Sequence, residues 1–333
     1  MLDAGGDRVD DLLVGGSDRE RRPAHPGLAA LDTWALRLVP LVIFAGFAAL
    51  FTIAAWRSRK MDENQGYLAN SAAALSGSAL LFGFYLLESV GFRHSPGLLY
   101  GFVFLINAIV LSLTWAQPSL RPAQAITLTA TALHLGIWTC LNHAAEMLPW
   151  ALGLYLVFGV MHTLNALLWQ RRHPETPSQS LGWMPAISLL LMLLPVVILD
   201  NVSFIIWPAM LLVNAAIIGL AVITRNVWPV LLALVTTLLA ALLWMSKLHA
   251  DLVVLTPFLF IVGGFALVFA VAAFFLAKKL GFNIGNSLSN ADQISPLAVL
   301  PIASAVLPFG LLILAVLHFP VLNPSPEIGR AHV

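Results

Sequence analysis

Five polar side chains stand inside long apolar stretches of this sequence: Asn107, His134, His162, Asn165 and Asn214. An imidazole titrates near neutral pH and can pass protons along a path, and an asparagine amide can hold it in one tautomer. The same groups can instead join neighbouring helices by hydrogen bonds. No Asp or Glu accompanies them, so the pattern favours the hydrogen-bonding role over a proton or ion path.

The elements that must position these side chains are apolar runs of membrane-spanning length. Of the 333 residues, 59% are hydrophobic and 10% are charged, and the mean hydropathy of +0.89 argues against a soluble domain. A run such as residues 148–173 reaches roughly 30 Å as a helix, the thickness of a bilayer's hydrocarbon core. Because backbone groups cannot stay unpaired in lipid and the runs exceed the length of a barrel strand, the sequence predicts an all-α membrane protein.

About ten such segments are predicted, arranged as tandem helical hairpins. They lie near residues 35–56, 68–90, 98–116, 123–141, 148–169, 183–199, 203–223, 228–246, 253–277 and 296–319. The basic residues Arg57, Arg121, Arg171, Arg225 and Lys278 follow alternate segments and are separated by 64, 50, 54 and 53 residues. This spacing fits a repeated hairpin, although any series of spans with short loops would give a similar one.

The connections carry an uneven positive charge, which predicts the orientation. Exits after the odd-numbered segments hold nine Lys or Arg residues, whereas the alternate loops hold only Arg93 and Lys247. Positively charged loops stay in the cytoplasm, so the sequence predicts cytoplasmic odd-numbered exits and an outside N-terminal tail in a bacterial inner membrane. The arginines of that tail, Arg19, Arg21 and Arg22, oppose this orientation, but five successive connections agree with it.

Depth along the helices places the polar side chains in one predicted midplane layer. Measured from the cytoplasmic ends, the depths are about 14 Å for Asn107, 16 Å for His134, 10 Å for His162 and 14 Å for Asn214. Two of the helices carry a polar stripe at i, i+4, i+7 spacing, made of Thr127, Thr131 and His134 in one and Tyr155, Gly159 and His162 in the other. Each stripe should face protein or a water-filled cavity rather than lipid.

Tryptophan and proline positions make further predictions about the helices. Eight of the ten tryptophans lie near predicted helix ends, where the ring prefers the headgroup region, and only Trp138 and Trp207 are predicted to lie deeper. Prolines within the later segments predict kinks. They are Pro195, Pro208, Pro257, Pro301 and Pro308.

Signatures of catalysis, metal binding or nucleic-acid binding are missing from the sequence. It has no HExxH, GxSxG or GxxxxGKS motif and no basic stripe interleaved with aromatic residues. The single cysteine, Cys140, cannot build a metal site alone. His143 with Glu146, or His249 with Asp251, could offer two metal ligands, but no third is identified. We therefore predict no catalytic residue, metal or cofactor, and membrane lipids but not nucleic acid as partners.

The sequence pattern of the chain resembles that of a family of bacterial membrane proteins, the domain of unknown function family 2339. The resemblance covers residues 36–319 and rests on serial Ala/Leu-rich segments with very short turns and on the exit LLWQRRH, followed by PETPSQS and WMPAISLLLMLLPVV. It implies a long inner-membrane protein with more helices than ten and no established activity, and it supplies no functional residues. Members of the family are expected to be longer than this chain.

The two ends of the chain are predicted to lie outside the helical domain. Residues 1–34 read as a flexible polar tail, residues 35–319 as the transmembrane domain, and residues 320–333 as a C-terminal tail. The last seven residues, EIGRAHV at 327–333, correspond to the translation of a common short-read sequencing adapter. We expect the natural chain to continue after about Pro326, which resequencing of the locus would test.

Three classes of function remain open on these observations. The favoured one is a non-enzymatic envelope or scaffold component of the inner membrane. The alternatives are a transporter or flippase that uses the midplane polar layer, and a membrane glycosyltransferase whose catalytic loops are missing from this sequence.

Overall fold

Helices make up the regular structure of the part of the chain that the computed structural model describes, which is residues 34–58, 65–142, 145–173, 183–248, 252–280 and 296–319. In chain order they are α1 (Trp34–Ser58), α2 (Gln65–Leu86), α3 (Val90–Arg93), α4 (Pro96–Ala116), α5 (Arg121–Leu141), α6 (Leu148–Arg172), α7 (Met184–Leu191), α8 (Leu193–Ile198), α9 (Ile206–Thr224), α10 (Trp228–Met245), α11 (Leu252–Lys279) and α12 (Pro296–His318). Short 3-10 turns, Pro118–Leu120 and Ala145–Met147, precede α5 and α6.

These helices confirm the prediction of an all-α membrane protein. Eight of the described helices are long and apolar enough to cross a membrane, namely α1, α2, α4, α6, α9, α10, α11 and α12. The fourth predicted segment is α5, which is long enough but carries threonines and His134. The sixth is the pair α7 and α8, which is shorter. All ten predicted segments are therefore helical, while a total of ten membrane crossings stays a prediction.

At Pro195, where the sequence predicts a kink, the helix is interrupted. The helix stops at Leu191 and restarts at Leu193, because the ring of a proline collides with the carbonyl four residues earlier and its nitrogen has no hydrogen to donate. Pro208 lies in the first turn of α9, where the missing hydrogen is not needed. Pro257, Pro301 and Pro308 lie inside helices that continue through them.

Residues at the helix ends agree with the sequence predictions apart from two tryptophans. Arg57, Arg171, Arg172, Lys278 and Lys279 lie in the last turns of their helices. Trp207 lies in the first turn of α9 and Trp138 in the last turn of α5, so the prediction that these two rings lie deeper than the other tryptophans is wrong. For Trp207 the error came from starting the span three residues too early.

The α-carbon contacts divide the chain into two units, Met1–Ile109 and Val110–Val333. In the first, α1 packs along α2, and Phe44 stacks on Phe82 with ring centroids 4.7 Å apart. In the second, α10 is the central helix, since it packs against α7, α8, α9, α11 and α12. Both predicted tails, His143, His249 and Asp251 lie outside the described residues, apart from Trp34 at the start of α1.

Candidate functional site

The two predicted polar stripes face protein, as their spacing requires. On α5, Thr127, Thr131 and His134 are all buried. On α6, which packs against α5, Tyr155 and His162 are buried on one face, with side-chain exposures of 0% each. The two histidines therefore lie on adjacent helices, shielded from the surrounding lipid.

Tyr155 links α6 to α5 by a buried hydrogen bond. Its hydroxyl lies 2.5 Å from the hydroxyl oxygen of Thr139. Thr139 donates its only hydroxyl hydrogen to the carbonyl of Leu135, 2.8 Å away, so Tyr155 must be the donor of the pair. This orientation leaves neither hydroxyl hydrogen unpaired.

Ser188 links α7 to α6 through a very close approach of the two helices. Its hydroxyl donates to the main-chain carbonyl of Tyr155 over 2.9 Å. The approach is possible because Gly159, one turn further along α6, has no side chain: a Cβ there would overlap the Ser188 hydroxyl oxygen. A small residue facing a hydroxyl is the arrangement by which membrane helices pack without a hydrophobic driving force.

Asn214 is paired with a threonine of the next helix. Its amide nitrogen donates to the hydroxyl of Thr237 on α10 over 2.9 Å, and both side chains are buried. Its amide oxygen is buried without a hydrogen-bond partner. The bond joins α9 to the central helix α10.

Asn165 reaches the end of a neighbouring helix rather than the midplane. Its amide oxygen accepts a hydrogen bond of 2.7 Å from the indole nitrogen of Trp115, in the last turn of α4. Trp115 also packs edge-on against Trp169. Of the predicted layer, Asn165 is thus the residue that takes part in the helix-end structure around these two rings.

Asn107 belongs to the first unit. It is fully buried, and its amide nitrogen donates to the carbonyl of Val103 in its own helix over 2.8 Å. A bond of this kind satisfies one N–H of the amide group within the helix.

The charged residues of the described chain lie at helix ends and in loops. Glu88, Glu146 and Asp200 are exposed there, and none of the described residues forms a group of three potential metal ligands. Lys247 uses its ammonium group to hold the end of α8, donating to the carbonyls of Val197 and Leu199 over 2.6 and 2.8 Å. The described site therefore offers hydroxyls, amides and two imidazoles, but no carboxylate that could complete an acid–base pair.

Cavities beside these polar groups are small or apolar. The one next to Thr139 has a volume of about 10 Å³, which is enough for a single water molecule. A groove of about 210 Å³ between α6, α7 and α9 contains Thr163 and Ser188 but is otherwise lined by apolar residues and a glycine. These spaces fit a water or part of a lipid tail better than a polar substrate.

Several residues of these links were not identified from the sequence. Thr139, Ser188 and Thr237 are small hydroxyl residues inside apolar segments, which are common in membrane helices and carry no partner information by themselves. The tryptophans at the helix ends were identified as interfacial, but their contact with Asn165 and with each other depends on positions 50 or more residues apart.

The chain matches no protein-family model, no curated protein and no solved structure.

Proposed function

We propose that this integral membrane protein is a non-enzymatic scaffold component of a bacterial inner membrane, with its N-terminal tail outside. The observation that carries the proposal is that polar side chains inside the spans bond to protein across helix interfaces. Tyr155 bonds Thr139, Ser188 bonds the carbonyl of Tyr155, and Asn214 bonds Thr237. Such bonds fix the positions of the helices relative to one another.

Charge supports the same function. Within the described spans, Asp, Glu, Lys and Arg occur only at the ends, whereas pumps and transporters commonly carry acidic or basic groups at their ion sites. We also propose membership of family 2339, which has no established activity and therefore does not itself favour a scaffold. Sequencing of the full-length gene would test membership, because relatives with more helices should align along the whole gene.

The test of the scaffold function uses a strain from which the gene is deleted. We expect the deletion to weaken the cell envelope, measured as sensitivity to detergent, and expect the wild-type gene to restore resistance. A His134→Leu/His162→Leu variant, with folding checked by its elution from size-exclusion chromatography, should restore resistance equally. Failure of this folded variant to restore resistance would contradict a purely structural role for the two histidines.

A transporter is the second candidate, favoured by one observation: His134 and His162 are both buried on adjacent helices. Its test is separate from the deletion strain. The purified chain would be placed in liposomes that contain a pH-sensitive dye, and proton flux would be measured after an imposed pH jump. The scaffold function predicts the same flux as protein-free liposomes, whereas a flux that the double-histidine variant abolishes would establish a relay.

A further inference from the structure

Two arginines and two tryptophans form a stack at the helix ends where α4, α5 and α6 meet, here called the Arg–Trp stack. The guanidinium carbon of Arg121 lies 4.9 Å from the ring centroid of Trp169, and that of Arg172 lies 5.7 Å from the ring centroid of Trp115. The two rings pack edge to face with centroids 5.6 Å apart. The aromatic rings thus hold both cations at one end of the helices.

Within the part of the chain that the structure describes, the arginines of the stack keep hydrogen-bond donors available. A guanidinium that lies over a ring uses its face for the contact, so the five N–H groups at its edge can still bind a planar or tetrahedral anion. Among the described residues neither Arg121 nor Arg172 forms an ion pair with a carboxylate. The carboxylate nearest to α6 in the described sequence, Glu146, precedes the opposite end of that helix.

Two buried donors without acceptors lie in the stack or one helical turn from it along the chain. Trp169 is only 7% exposed, and its indole nitrogen is buried without a hydrogen-bond partner. The side-chain amide nitrogen of Gln124, one turn after Arg121, is also buried without a partner. Gln117 adds one unpaired acceptor, its Oε1, so donors predominate. An excess of buried donors beside two cations that pair with no carboxylate of the described residues is the chemistry that an oxyanion satisfies.

The start of α5 adds a further attraction for an anion. Arg121 is its first residue, and the N-cap residue, Leu120, has no side chain that could accept hydrogen bonds from the first turn. The positive end of the α5 dipole therefore lies at the same helix end as the Arg121 guanidinium.

We propose that the Arg–Trp stack binds the phosphate group of an anionic phospholipid. Arg121 and Arg172 would bind the phosphate oxygens, and the two indole rings would lie at the level of the glycerol backbone, where tryptophan is most favourable. A lipid phosphate rather than a soluble one is indicated because the stack stands at the ends of helices whose apolar spans are surrounded by acyl chains. The site adds a specific ligand to the scaffold and does not depend on the scaffold function.

The test measures binding of phosphatidylglycerol to the purified full chain in phosphatidylcholine nanodiscs. An Arg121→Gln/Arg172→Gln variant would be compared with Arg171→Gln/Lys278→Gln, which removes the same charge from exposed helix ends outside the stack. We expect the stack variant to lose at least about tenfold more affinity than the control, because charge-assisted phosphate contacts exceed the general attraction of a basic residue to an anionic surface. Equal losses in the two variants would overturn the proposal.

Two further measurements distinguish loss of binding from misfolding, and a lipid phosphate from a soluble one. An Arg121→Lys/Arg172→Lys variant keeps both charges, so it should fold and retain more binding than the glutamine pair; binding as weak as in the glutamine pair would contradict the charge contacts. Glycerol 3-phosphate would be added as a competitor. At millimolar concentration it should displace little phosphatidylglycerol, and displacement at the lipid's own dissociation constant would overturn the assignment to a lipid.

Discussion

Gly159 and Ser188 fix how closely α6 and α7 approach each other. A methyl group at position 159 would lie 3.2 Å from the Ser188 Cβ and would overlap its hydroxyl oxygen. The Ser188 hydroxyl is itself held by the carbonyl of Tyr155, so it cannot turn away without losing that bond. The contact therefore leaves no room for a larger residue at position 159.

Gly159→Ala should therefore destabilise the protein by about 1–3 kcal/mol, the usual cost of overpacking. The measurement is the unfolding transition of the purified protein in detergent micelles, followed by circular dichroism. Gly153→Ala is the matched control on the same helix, because a Cβ there would meet nothing within 4 Å. The control should be neutral or slightly stabilising, and an equal loss in both variants would contradict the close contact.

Tyr155→Phe should cost about 0.6 kcal/mol, the typical value of one hydrogen bond between membrane helices. The loss is small because Thr139 keeps its bond to the Leu135 carbonyl. Unfolding in micelles would again be measured, with Tyr67→Phe as the control, since Tyr67 is 77% exposed. No difference between the two variants would show that the bond to Thr139 does not contribute to stability.

For single residues, the sequence indicated which side chains are buried but not which groups they bond to. The i, i+4, i+7 spacing placed Thr131 and His134 on one buried face because that rule depends only on helical geometry. The partner of Asn165 is Trp115, 50 positions away, and such a pairing depends on how helices cross. Whether the polar layer has a function stays a hypothesis.

Among the helices, the pair α7 and α8 depends on side chains from elsewhere in the chain. Pro195 removes a hydrogen bond near the break, and the last carbonyls of α8 have no partner within their own helix. Lys247, which follows α10, donates to the carbonyls of Val197 and Leu199. A cation near a helix C-terminus also interacts favourably with the helix dipole.

Lys247→Met should destabilise the protein by about 1 kcal/mol and should loosen the end of α8, because methionine keeps the apolar stem and loses the donors. Hydrogen–deuterium exchange would report faster exchange at the end of α8. Lys279→Met is the control, since Lys279 is exposed in the last turn of α11. Unchanged exchange in Lys247→Met would mean that the break at Pro195 is stable without the lysine.

Helix positions were predictable from sequence because apolar length and flanking Trp, Arg and Lys residues mark where a helix leaves the membrane. The start of α6 at Leu148 and the start of α10 at Trp228 agree with the prediction to the residue. The role of Lys247 was not predictable, since it acts on carbonyls about 50 positions earlier. A loop lysine gives no sequence signal of its partner.

For the whole molecule, the number of membrane crossings determines which loops share a side. Ten crossings place the loops before and after α5 on opposite sides. If only the eight most apolar helices cross, those two loops lie on the same side. The helix α5 would reach roughly 31 Å, which is long enough to span the membrane. The positively charged connections before α5 and after α6 lie on the same side only if α5 crosses.

Cysteine labelling distinguishes the two arrangements. In a Cys140→Ser background, which removes the only native thiol, single cysteines would be introduced by Ser119→Cys before α5 and Glu146→Cys after it, both at exposed positions. With ten crossings and cytoplasmic odd-numbered exits, an impermeant maleimide added to intact cells should label the Glu146→Cys variant. It should label the Ser119→Cys variant only after permeabilisation.

Asn201→Cys, in the loop after α8, should behave like Glu146→Cys, because α6 and the α7–α8 pair together return the chain to the outside. If Glu146→Cys is labelled and Asn201→Cys is not, α5 crosses the membrane but the broken pair α7–α8 does not, since its residues 184–198 would reach only roughly 22 Å.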